Sequence, residues 1–494
     1  MLYPAEWTPA FSTPSGQFLH DFSYSGYRLG DDPLPVDLGR PVFEAVQTFG
    51  ADPTGATDST AAIQAAIDAA GSSGGGIVHL AKGLYRCDGL LTVSAPFVTI
   101  RGAGPADTRV FFTRTYDMSY KSHLTFRGAV QRGPDIPLVV DGLNRSMRVE
   151  LTDASSLRPG DEIAVGWVIT DPFVKEHGMT GTWQAFNGQW RPFFRRTITA
   201  IDGNQVAIDV PLRYDAKIRD AASVRVETGY VRECSLEDLG IANAVDYATA
   251  WNLNQVCAVS FDGVADSWAR NVHSVASPHP DGSGFHLQSV GIRVSGSKRV
   301  TIAGCSMDRP QNRGGGGNGY LFELGTSNEV LIRDCVATNG RHNFIQNWDF
   351  GASGLVFLRC HSAGGRNLNG VWDPIGFPAY SEYHHSLAMA NLVDSCTLDD
   401  GWYGGNRQDW SSGAGHSVTQ SVFWNTEGAG RIRSFQYGMG YVIGTQGVSV
   451  DTLLFGQSAE GTAPADFVEG LGRGADLEPQ SLYEDQRIKR LGAK

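Results

Sequence analysis

The sequence predicts an all-β solenoid, and two observations lead to that prediction. Glycine is abundant, at 61 of 494 residues with only 22 prolines and no Gly-X-Y period, so the chain should contain many tight turns and short strands. A short apolar strand pattern also recurs along the second half of the chain, which indicates a constant strand joined by connections of variable length. The residues that mark successive repeats are Leu239, Val272, Cys305, Cys335, Cys360, Cys396, Val422 and Leu453.

Four consecutive repeats place cysteine at the same position. We expect these thiols to stack as an inward column of buried, free side chains. The 7 cysteines of the chain form neither a CxxC pair nor a dense disulfide pattern. The column therefore indicates packing rather than chemistry.

Charge and hydropathy exclude several classes of function. Forty Lys and Arg against 52 Asp and Glu give a net charge of -12, which argues against the broad basic surface that nucleic-acid binding needs. No apolar run approaches the roughly 18 residues of a membrane span, and MLYPAEWTPAF lacks the pattern of a signal peptide. We expect a soluble protein with neither nucleic-acid nor membrane partners, located outside the cell or in the periplasm.

Residues 42–89 read as strand, turn, helix, turn, strand. Asp58 or Ser59 can cap the helix, and Gly71 can end it. The tracts FGADPTGATDSTAAIQAAIDAA and GGGIVHLAKGLYR resemble the opening segment of the pectate-lyase-like right-handed parallel β-helix superfamily, in which this helix plugs the N-terminal end of the solenoid. Lyases, hydrolases, epimerases and phage tailspikes share the architecture, so the resemblance indicates the fold rather than the reaction.

The predicted fold class is therefore an all-β, right-handed parallel β-helix with an N-terminal capping helix and a small inserted antiparallel β module. Apolar and polar residues alternate in the module, with turns at RPGD and IDGN. The predicted organisation is an N-terminal extension (1–40), the opening segment with the capping helix (41–137), the inserted module (138–228), the coils that carry the groove (229–460) and a C-terminal tail with a short helix (461–494).

One tract, from RHNFIQNWDF (341–350) to GRIRSF (430–435), combines Asp, His, Arg, Asn, Tyr and Trp at a density that solvated loops rarely show. Its tryptophans could stack on sugar rings, because each offers an apolar face with a polar handle. We therefore predict a surface groove that binds a polysaccharide or oligosaccharide. The candidate substrate-binding residues are His342, Asn347, Trp348, Asp349, Arg366, Trp372, Tyr380, Glu382, Trp402, Arg407, Asp409, Trp410 and His416.

Hydrolysis of a glycosidic bond is the slightly favoured reaction. It needs an acid and a second carboxylate about 5 to 10 Å away, which Asp399 with Asp400, Asp373 or Asp409 could supply. The order of Asn347-Trp348-Asp349, Asp399-Asp400, Gly415-His416 and Arg431-Ile432-Arg433 is similar to that of the polygalacturonase family. Trp348, Ser417 and Arg433 depart from that family's Thr, Gly and Lys, and the spacings differ.

The alternative reaction is β-elimination on a uronate. It needs a cation at the substrate carboxylate and a base near the C5 proton. Arg341 and Arg366, on adjacent coils, or Arg407 could neutralise the carboxylate. His384, His385, Tyr380 or Tyr383 could abstract the proton. Because His384 and His385 are adjacent, we expect only one of them to face the groove.

The candidate catalytic residues are thus Asp399, Asp400, Asp373, His384, His385 and Arg341. No metal site and no cofactor are predicted, apart from a calcium ion if the reaction is elimination. A monomer is favoured over a trimer. A non-catalytic carbohydrate-binding solenoid is the third alternative.

Overall fold

The computed structural model describes residues 2–369, 376–452 and 464–492. Ten parallel strands, one from each coil, form the sheet that we call the groove sheet. Its neighbours pair side by side along the axis of the solenoid, so the sheet grows by one strand with each coil. In chain order its strands are Leu91–Val93, Ser122–Arg127, Cys257–Asp262, Val290–Ser295, Tyr320–Leu324, His342–Gln346, Ser381–Tyr383, Gly401–Gly404, Arg431–Ser434 and Ser449–Asp451.

A parallel sheet of 19 strands, which we call the back sheet, completes the coils. Several coils give it two strands, and the main apolar core lies between the two sheets. These features confirm the predicted parallel β-helix. The strands are Val42–Glu44, Gly76–His79, Gly83–Cys87, Val98–Arg101, Thr108–Phe112, Val231–Arg232, Ser235–Ala242, Val264–Ser274, Lys298–Ala303, Ser306–Asp308, Leu331–Arg333, Val336–Thr338, Val356–Leu358, His361–Ala363, Leu392–Asp394, Thr397–Leu398, Val422–Glu427, Tyr441–Gln446 and Phe467–Glu469.

The cysteine column is confirmed, and all seven cysteines of the chain are free and buried. The pairing of Ser306, Val336, His361 and Thr397 puts the cysteine before each of them in one register. Thr397 then pairs with Glu427, so Thr426 continues the column and the prediction of Val422 was wrong by four residues. Val422 instead pairs with Leu392 at the start of a back-sheet strand. The prediction was wrong because the apolar start of this strand resembles the apolar residues of the column. Leu453 lies outside the described residues.

The residue before each column position turns the chain through a sharp corner. Its φ lies between 47° and 59°, a left-handed conformation that favours Gly, Asn and Asp. One corner residue and one column residue separate the two back-sheet strands in four consecutive coils. The corner residues are Asp238, Asn271, Gly304, Asp334, Arg359, Ser395 and Asn425.

The predicted capping helix spans Thr60–Ser72. Its buried face carries Ile63, Ala66, Ile67 and Ala70, which pack into the main core. Asp58 Oδ1 accepts the Thr60 amide at its start. The helix thus covers apolar side chains that would otherwise face solvent at the first coil.

A second sheet of seven strands, antiparallel throughout, builds the inserted module around its own apolar core. Its strands are Gln131–Arg132, Ile136–Pro137, Arg148–Glu150, Glu162–Val168, Trp190–Asp202, Gln205–Ile208 and Ser223–Thr228. Short pairs join Arg366–Asn367 to Phe377–Pro378, and Ala388–Met389 to Val418–Thr419. The remaining helical segments are Tyr27–Gly30, Asp171–Glu176, Ile218–Asp220, Tyr247–Trp251, Pro280–Gly282, Trp410–Gly413, Gly474–Asp476 and Leu482–Gly492.

The N-terminal segment and the helix Leu482–Gly492 pack together on the outside of the back sheet. Tyr3 Oη donates to Asp485 at 2.6 Å, and Arg490 pairs with Asp31 at 2.5 Å. Apolar side chains of both segments share one cluster with back-sheet residues. Among the described residues, none of the helices has the length and apolar character to cross a membrane.

Candidate functional site

One outward-facing register position crosses the whole groove sheet. Backbone pairing lines up one residue from each of the ten strands, and nine of the ten are polar. Because side chains alternate between the faces of a strand, these residues form the floor of a continuous surface groove. They are Thr92, Thr125, Ser260, Arg293, Glu323, Ile345, Glu382, Tyr403, Arg433 and Asp451.

Two neighbouring cavities open from this floor. The larger, of about 710 Å³, is lined by Arg293, Glu323 and His384 among others. The smaller, of about 320 Å³, is lined by Glu382, Tyr403 and further groove residues. Arg341 lines both cavities, so it stands at their junction. A ligand at this junction would contact residues of both cavities.

A buried cluster of two histidines and one carboxylate lies at the junction. Glu382 Oε1 is 3.4 Å from His342 Nε2 and 3.3 Å from His384 Nε2. The other carboxylate oxygen, Oε2, accepts a hydrogen bond from Arg407 at 2.9 Å. Arg407 in turn donates to Ser411 Oγ at 3.1 Å, which ties the cluster to the loop that overhangs it. We call His342, Glu382 and His384 the triad.

Backbone carbonyls fix the tautomers of the triad histidines. His342 Nδ1 lies 2.5 Å from the Tyr380 carbonyl and must donate to it, which leaves a lone pair on Nε2. His385 Nε2 likewise donates to the Ser411 carbonyl at 2.9 Å, so its Nδ1 is an acceptor. His384 Nδ1, 2.6 Å from that acceptor, is then the donor, and His384 Nε2 also carries a lone pair. In the neutral state both Nε2 lone pairs point toward Glu382.

Burial shifts the ionisation of the triad. It lowers the pKa of His342 and His384 well below the usual value, and the nearby Arg341 and Arg407 charges act in the same direction. Burial raises the pKa of Glu382, while Arg407 and Arg341 partly oppose this. The shifts favour neutral imidazoles and make Glu382 a weaker acid than an exposed glutamate.

The predicted separation of the two adjacent histidines was wrong. The strand Ser381–Tyr383 ends just before them, so the alternation of side chains does not extend to His384 and His385. Both line the larger cavity and contact one another. Only His384 contributes to the triad, and His385 orients it.

The predicted stacking tryptophans differ in their exposure to solvent. Trp348 is 46% exposed and lines the larger cavity, and Trp410 is 73% exposed and lines the smaller one. Trp402 is fully buried and lies 4.8 Å from Phe357, so it offers no face to a sugar and that prediction was wrong. The outward residue of the same strand is Tyr403, one position further on.

The aspartate pair does not form a hydrolytic site. The Asp399 carboxylate binds His361 Nε2 at 2.8 Å and accepts the Ala429 amide, outside both cavities. The Asp400 carboxylate points inward and accepts hydrogen bonds from Asn343, Ser362 and the amides of Gly365 and Gly401. Both carboxylates are therefore bound within turns, and the geometry does not support their predicted catalytic role.

Other candidates divide between the groove and structural positions. Arg407 and Tyr380 line the smaller cavity, and Asn347 and Asp349 line the larger one. The Asp349 carboxylate is held by Arg191 of the inserted module.

The remaining candidates lie apart from the triad. Arg366 donates its amide to the Gly340 carbonyl on the neighbouring coil, which agrees with its expected place beside Arg341. Asp409 accepts from Thr182 of the module. His416 is fully buried against Trp183 and Tyr437. Trp372 and Asp373 lie outside the described residues. The polygalacturonase-like order is thus not brought together in one site.

Sequence reasoning missed several groove residues. Arg293, Glu323, Tyr403 and Arg433 lie in four separate coils; only Arg433 belongs to a motif, the polygalacturonase-like order, and it was not named there as a groove residue. Their common signal is a polar side chain that directly follows an inward apolar residue in each groove-sheet strand: Ile292, Phe322, Trp402 and Ile432. Aligning the repeats on these strands rather than on the cysteine column would have found them.

The inserted module supports the overhanging loop. Trp183 Nε1 donates to the Ala414 carbonyl at 3.0 Å, and a Cβ at Gly415 would lie 2.3 Å from the same nitrogen. Gly413 packs against the Thr182 carbonyl as closely. The loop that carries Arg407 therefore rests on the module as well as on its own coil.

The family described as rhamnogalacturonase A/epimerase, pectate lyase-like, has a sequence model that matches residues 43–128. Mannuronan C5-epimerase AlgE3 of Azotobacter vinelandii is 51% identical over 70 residues, which cover 13% of this chain and 4% of that protein. Alginate lyase 7 of the same organism is 44% identical over 79 residues, covering 15% of this chain and 9% of the lyase. The matched stretches are thus small parts of these relatives.

Solved structures align with the chain at low identity. The tailspike gp61 of Pseudomonas phage phi297 aligns with a TM-score of 0.47 and 13% identity, covering 84% of this chain and 70% of the tailspike. The A-module of mannuronan C-5 epimerase AlgE4 from Azotobacter vinelandii aligns with a TM-score of 0.27 and 11% identity, over 87% and 96% of the two chains. The coil architecture and the match of the opening segment agree with the predicted resemblance to the pectate-lyase-like parallel β-helix superfamily.

Proposed function

We propose that the protein removes the C5 proton of uronate units in an anionic polysaccharide that lies along the groove. This step is common to elimination and to C5 epimerisation, since both begin with proton abstraction next to a neutralised carboxylate. The observation that carries the proposal is the charge pattern of the two cavities. Four arginines line them, and each of the three described lining carboxylates is already paired with an arginine. The arginines are Arg293, Arg341, Arg407 and Arg433.

The three pairs are direct. Glu323 binds Arg293 at 2.7 Å, and Glu382 binds Arg407 at 2.9 Å. Asp349 is paired with an arginine of the inserted module. Hydrolysis needs two carboxylates free to act on opposite sides of the bond, whereas proton abstraction from a uronate needs cations and a base. The lining therefore supports the second reaction.

Arg341 is the group that we assign to the substrate carboxylate. It makes no ion pair with any described residue, and its guanidinium donates to the Gly314 carbonyl at 3.0 Å. His384, which lines the larger cavity and carries a lone pair on Nε2, is assigned as the base. Tyr403 lies in the smaller cavity and is assigned as the proton donor, to the leaving oxygen in elimination or to C5 in epimerisation.

Local relatives support this choice of reaction class. The two with 51% and 44% identity are named for C5 epimerisation of mannuronan and for lysis of alginate. The polymer itself and the choice between cleavage and inversion are part of the proposal. Location outside the cell or in the periplasm, and a calcium ion in the case of elimination, stay predictions.

The test is incubation of the full chain with uronate polymers and neutral glucans in D2O. We expect deuterium at C5 of a uronate polymer, with or without unsaturated ends, and no reaction with neutral polymers. Arg341→Gln should lower the rate by about 100-fold or more, because it removes the neutralising charge. Arg309→Gln, an exposed arginine outside both cavities, is the matched control. New reducing ends without deuterium or unsaturation would contradict the proposal.

A further inference from the structure

We infer that the triad of His342, Glu382 and His384 binds one divalent transition metal ion of the zinc class. The three side chains are buried, and one ligand atom from each lies within 4.8 Å of the others. They come from two neighbouring strands and from the residue after the second strand. The sequence shows no ligand spacing because one histidine is about a full coil away from the other two ligands.

The hydrogen-bond network leaves the correct atoms available. His342 Nδ1 and His384 Nδ1 both donate away from the cluster, so both Nε2 atoms present lone pairs to Glu382 Oε1. His342 Nε2 is buried and has no hydrogen-bond partner among the described residues, and Ser411 Oγ approaches His384 Nε2 only to 3.5 Å. Three electron-pair donors thus converge, an arrangement that a cation between them would stabilise.

Two of the three ligand-to-ligand distances fit a small tetrahedral ion, and the third, between the two imidazole nitrogens, is at most 4.8 Å. Two ligands held about 2.0 to 2.1 Å from tetrahedral zinc are roughly 3.3 Å apart. Glu382 Oε1 lies 3.4 Å from His342 Nε2 and 3.3 Å from His384 Nε2. Little movement of these two pairs would be needed to admit the ion.

The surroundings resemble the outer shell of a metal site. Metal-bound histidines usually donate their second ring nitrogen to a carbonyl or another fixed acceptor, which sets their orientation. Here the Tyr380 carbonyl performs this role for His342, and His385 performs it for His384. Arg407 donates to both Glu382 oxygens, at 2.9 Å to Oε2 and at 3.2 Å to Oε1, and Oε1 also faces the two imidazoles.

Ligand chemistry selects the class of metal. Two imidazole nitrogens and one carboxylate oxygen suit zinc or its neighbours in the first transition row and do not suit calcium, which prefers oxygen ligands. Arg341 and Arg407 add positive charge nearby, so we expect weaker binding than at a structural zinc site. Three protein ligands would leave the fourth position of a tetrahedral ion for water or another small ligand.

Metal binding and proton abstraction exclude one another in this geometry. The ion would take the His384 Nε2 lone pair that accepts the C5 proton, so the loaded protein should be inactive. This consequence rests on the proposed function, whereas binding of the ion does not. Removal of the ion by a chelator should then restore the activity.

The primary test is titration of chelator-treated full chain with Co²⁺, followed by displacement with Zn²⁺. We expect one equivalent of Co²⁺ to bind with the visible absorption of a four- or five-coordinate ion. Glu382→Gln and His384→Ala should each weaken binding by at least about 10-fold, and His385→Ala, which removes an orienting contact, by about 10- to 100-fold. His361→Ala removes a histidine outside the cavities and should leave binding unchanged.

Anomalous diffraction from zinc-soaked crystals of the unsubstituted protein tests the site without relying on variants that must fold. An anomalous peak between His342 Nε2, His384 Nε2 and Glu382 Oε1 is expected. Absence of a bound equivalent, or a peak elsewhere, would overturn the inference. Activity that rises with Zn²⁺ would contradict the inference that a bound ion prevents proton abstraction by His384. Metal binding by a protein that is inactive on every uronate polymer would remove the proposed function and leave the metal site standing.

Discussion

At the scale of single residues, Trp402 and Tyr403 show how one position along a strand separates packing from chemistry. Trp402 points inward and contacts the rings of Phe344, Phe357 and Tyr383. Tyr403 points outward beside Glu382, its neighbour in the next strand. An aromatic residue in a functional tract therefore says little until its face of the strand is known.

Replacement of these two residues should have opposite effects. Trp402→Ala should lower the free energy of unfolding by about 3 to 5 kcal/mol, because it leaves a cavity in the core. Tyr403→Phe keeps the ring and should change stability by less than about 1 kcal/mol, yet lower kcat by about 100-fold or more if the hydroxyl transfers a proton. Denaturant unfolding and initial rates on a uronate polymer measure both. A stable Trp402→Ala protein would contradict the burial argument.

The aspartate pair gives a second comparison at this scale. Asp399→Asn should leave activity within about 2-fold and stability within about 0.5 kcal/mol, because its carboxylate lies in an exposed turn outside the groove. Asp400→Asn should destabilise by about 1 to 3 kcal/mol, since its new NH2 group would replace one acceptor oxygen and face either the Gly365 or the Gly401 amide. Thermal or denaturant unfolding separates the two. A large loss of activity in Asp399→Asn would restore the carboxylate pair as a candidate.

At the scale of elements, the inserted module acts as a support for the loop over the triad. The loop reaches the triad through Arg407 and Ser411, and it touches the module through Thr182 and Trp183. Its short turn at Trp410–Gly413 contains left-handed residues, so its shape depends on what it packs against.

Gly415→Ala should therefore lower activity without a substitution in the groove. Its added Cβ would lie 2.3 Å from Trp183 Nε1 and displace the loop. We expect a loss of about 10- to 100-fold in kcat/KM, as positional errors of about 1 Å can cost that much. Gly178→Ala is the matched control, because Gly178 has a similar φ of 66° but open space around it. Equal effects of both variants would assign the loss to backbone strain rather than to the module.

At the scale of the whole molecule, the two terminal segments close over the middle of the solenoid. Asp394 joins this closure to the coils, since it accepts hydrogen bonds from Ser481 Oγ and from the Tyr483 amide, each at 2.8 Å. Burial raises the pKa of Asp394 to about 7. The protonated carboxyl is therefore the form that the closed structure favours.

This shift makes closure depend on pH. Because the folded pKa lies above the unfolded value of about 3.9, the stabilisation is complete below that value and is lost as pH rises through about 7. The unfolding free energy should fall by a few kcal/mol between about pH 4 and pH 8, and less in Asp394→Asn. Asp466 has a similar shift and stays in both proteins, so the difference between them is the measurement. Parallel pH profiles would refute the assignment.

The fold was predictable from the sequence because it repeats. The glycine content, the cysteine column and the helix at Thr60–Ser72 each report a local rule that the coil reproduces. The register failed after Cys396, where Thr426 replaces cysteine and the apolar start of the next strand imitates the column. A sequence repeat therefore predicts the position of each coil as long as the same residue type occupies the equivalent position in every repeat.

The site was less predictable because it depends on distances across coils. The tract around His384 was found, and Glu382 was expected to bind substrate. Their convergence with His342 depends on strand pairing and on a loop held by a distant module. The density of polar residues also favoured Asp399, which the turn geometry directs to His361 instead. A sequence shows which residues are unusual, while the lengths of the connections decide which of them meet.

The left-handed corner has a consequence for how this solenoid can vary. Two residues form the corner in four consecutive coils, yet the repeats that contain it differ in length, with 30, 25 and 36 residues separating equivalent positions. All variation in length is therefore confined to the other arcs of the coil, including those beside the groove. The corner keeps the same two-residue geometry in each of these coils, and insertions elsewhere in the coil leave it unchanged. Loops at the groove can thus be exchanged to recognise another polymer while the strand pairing of the back sheet stays the same.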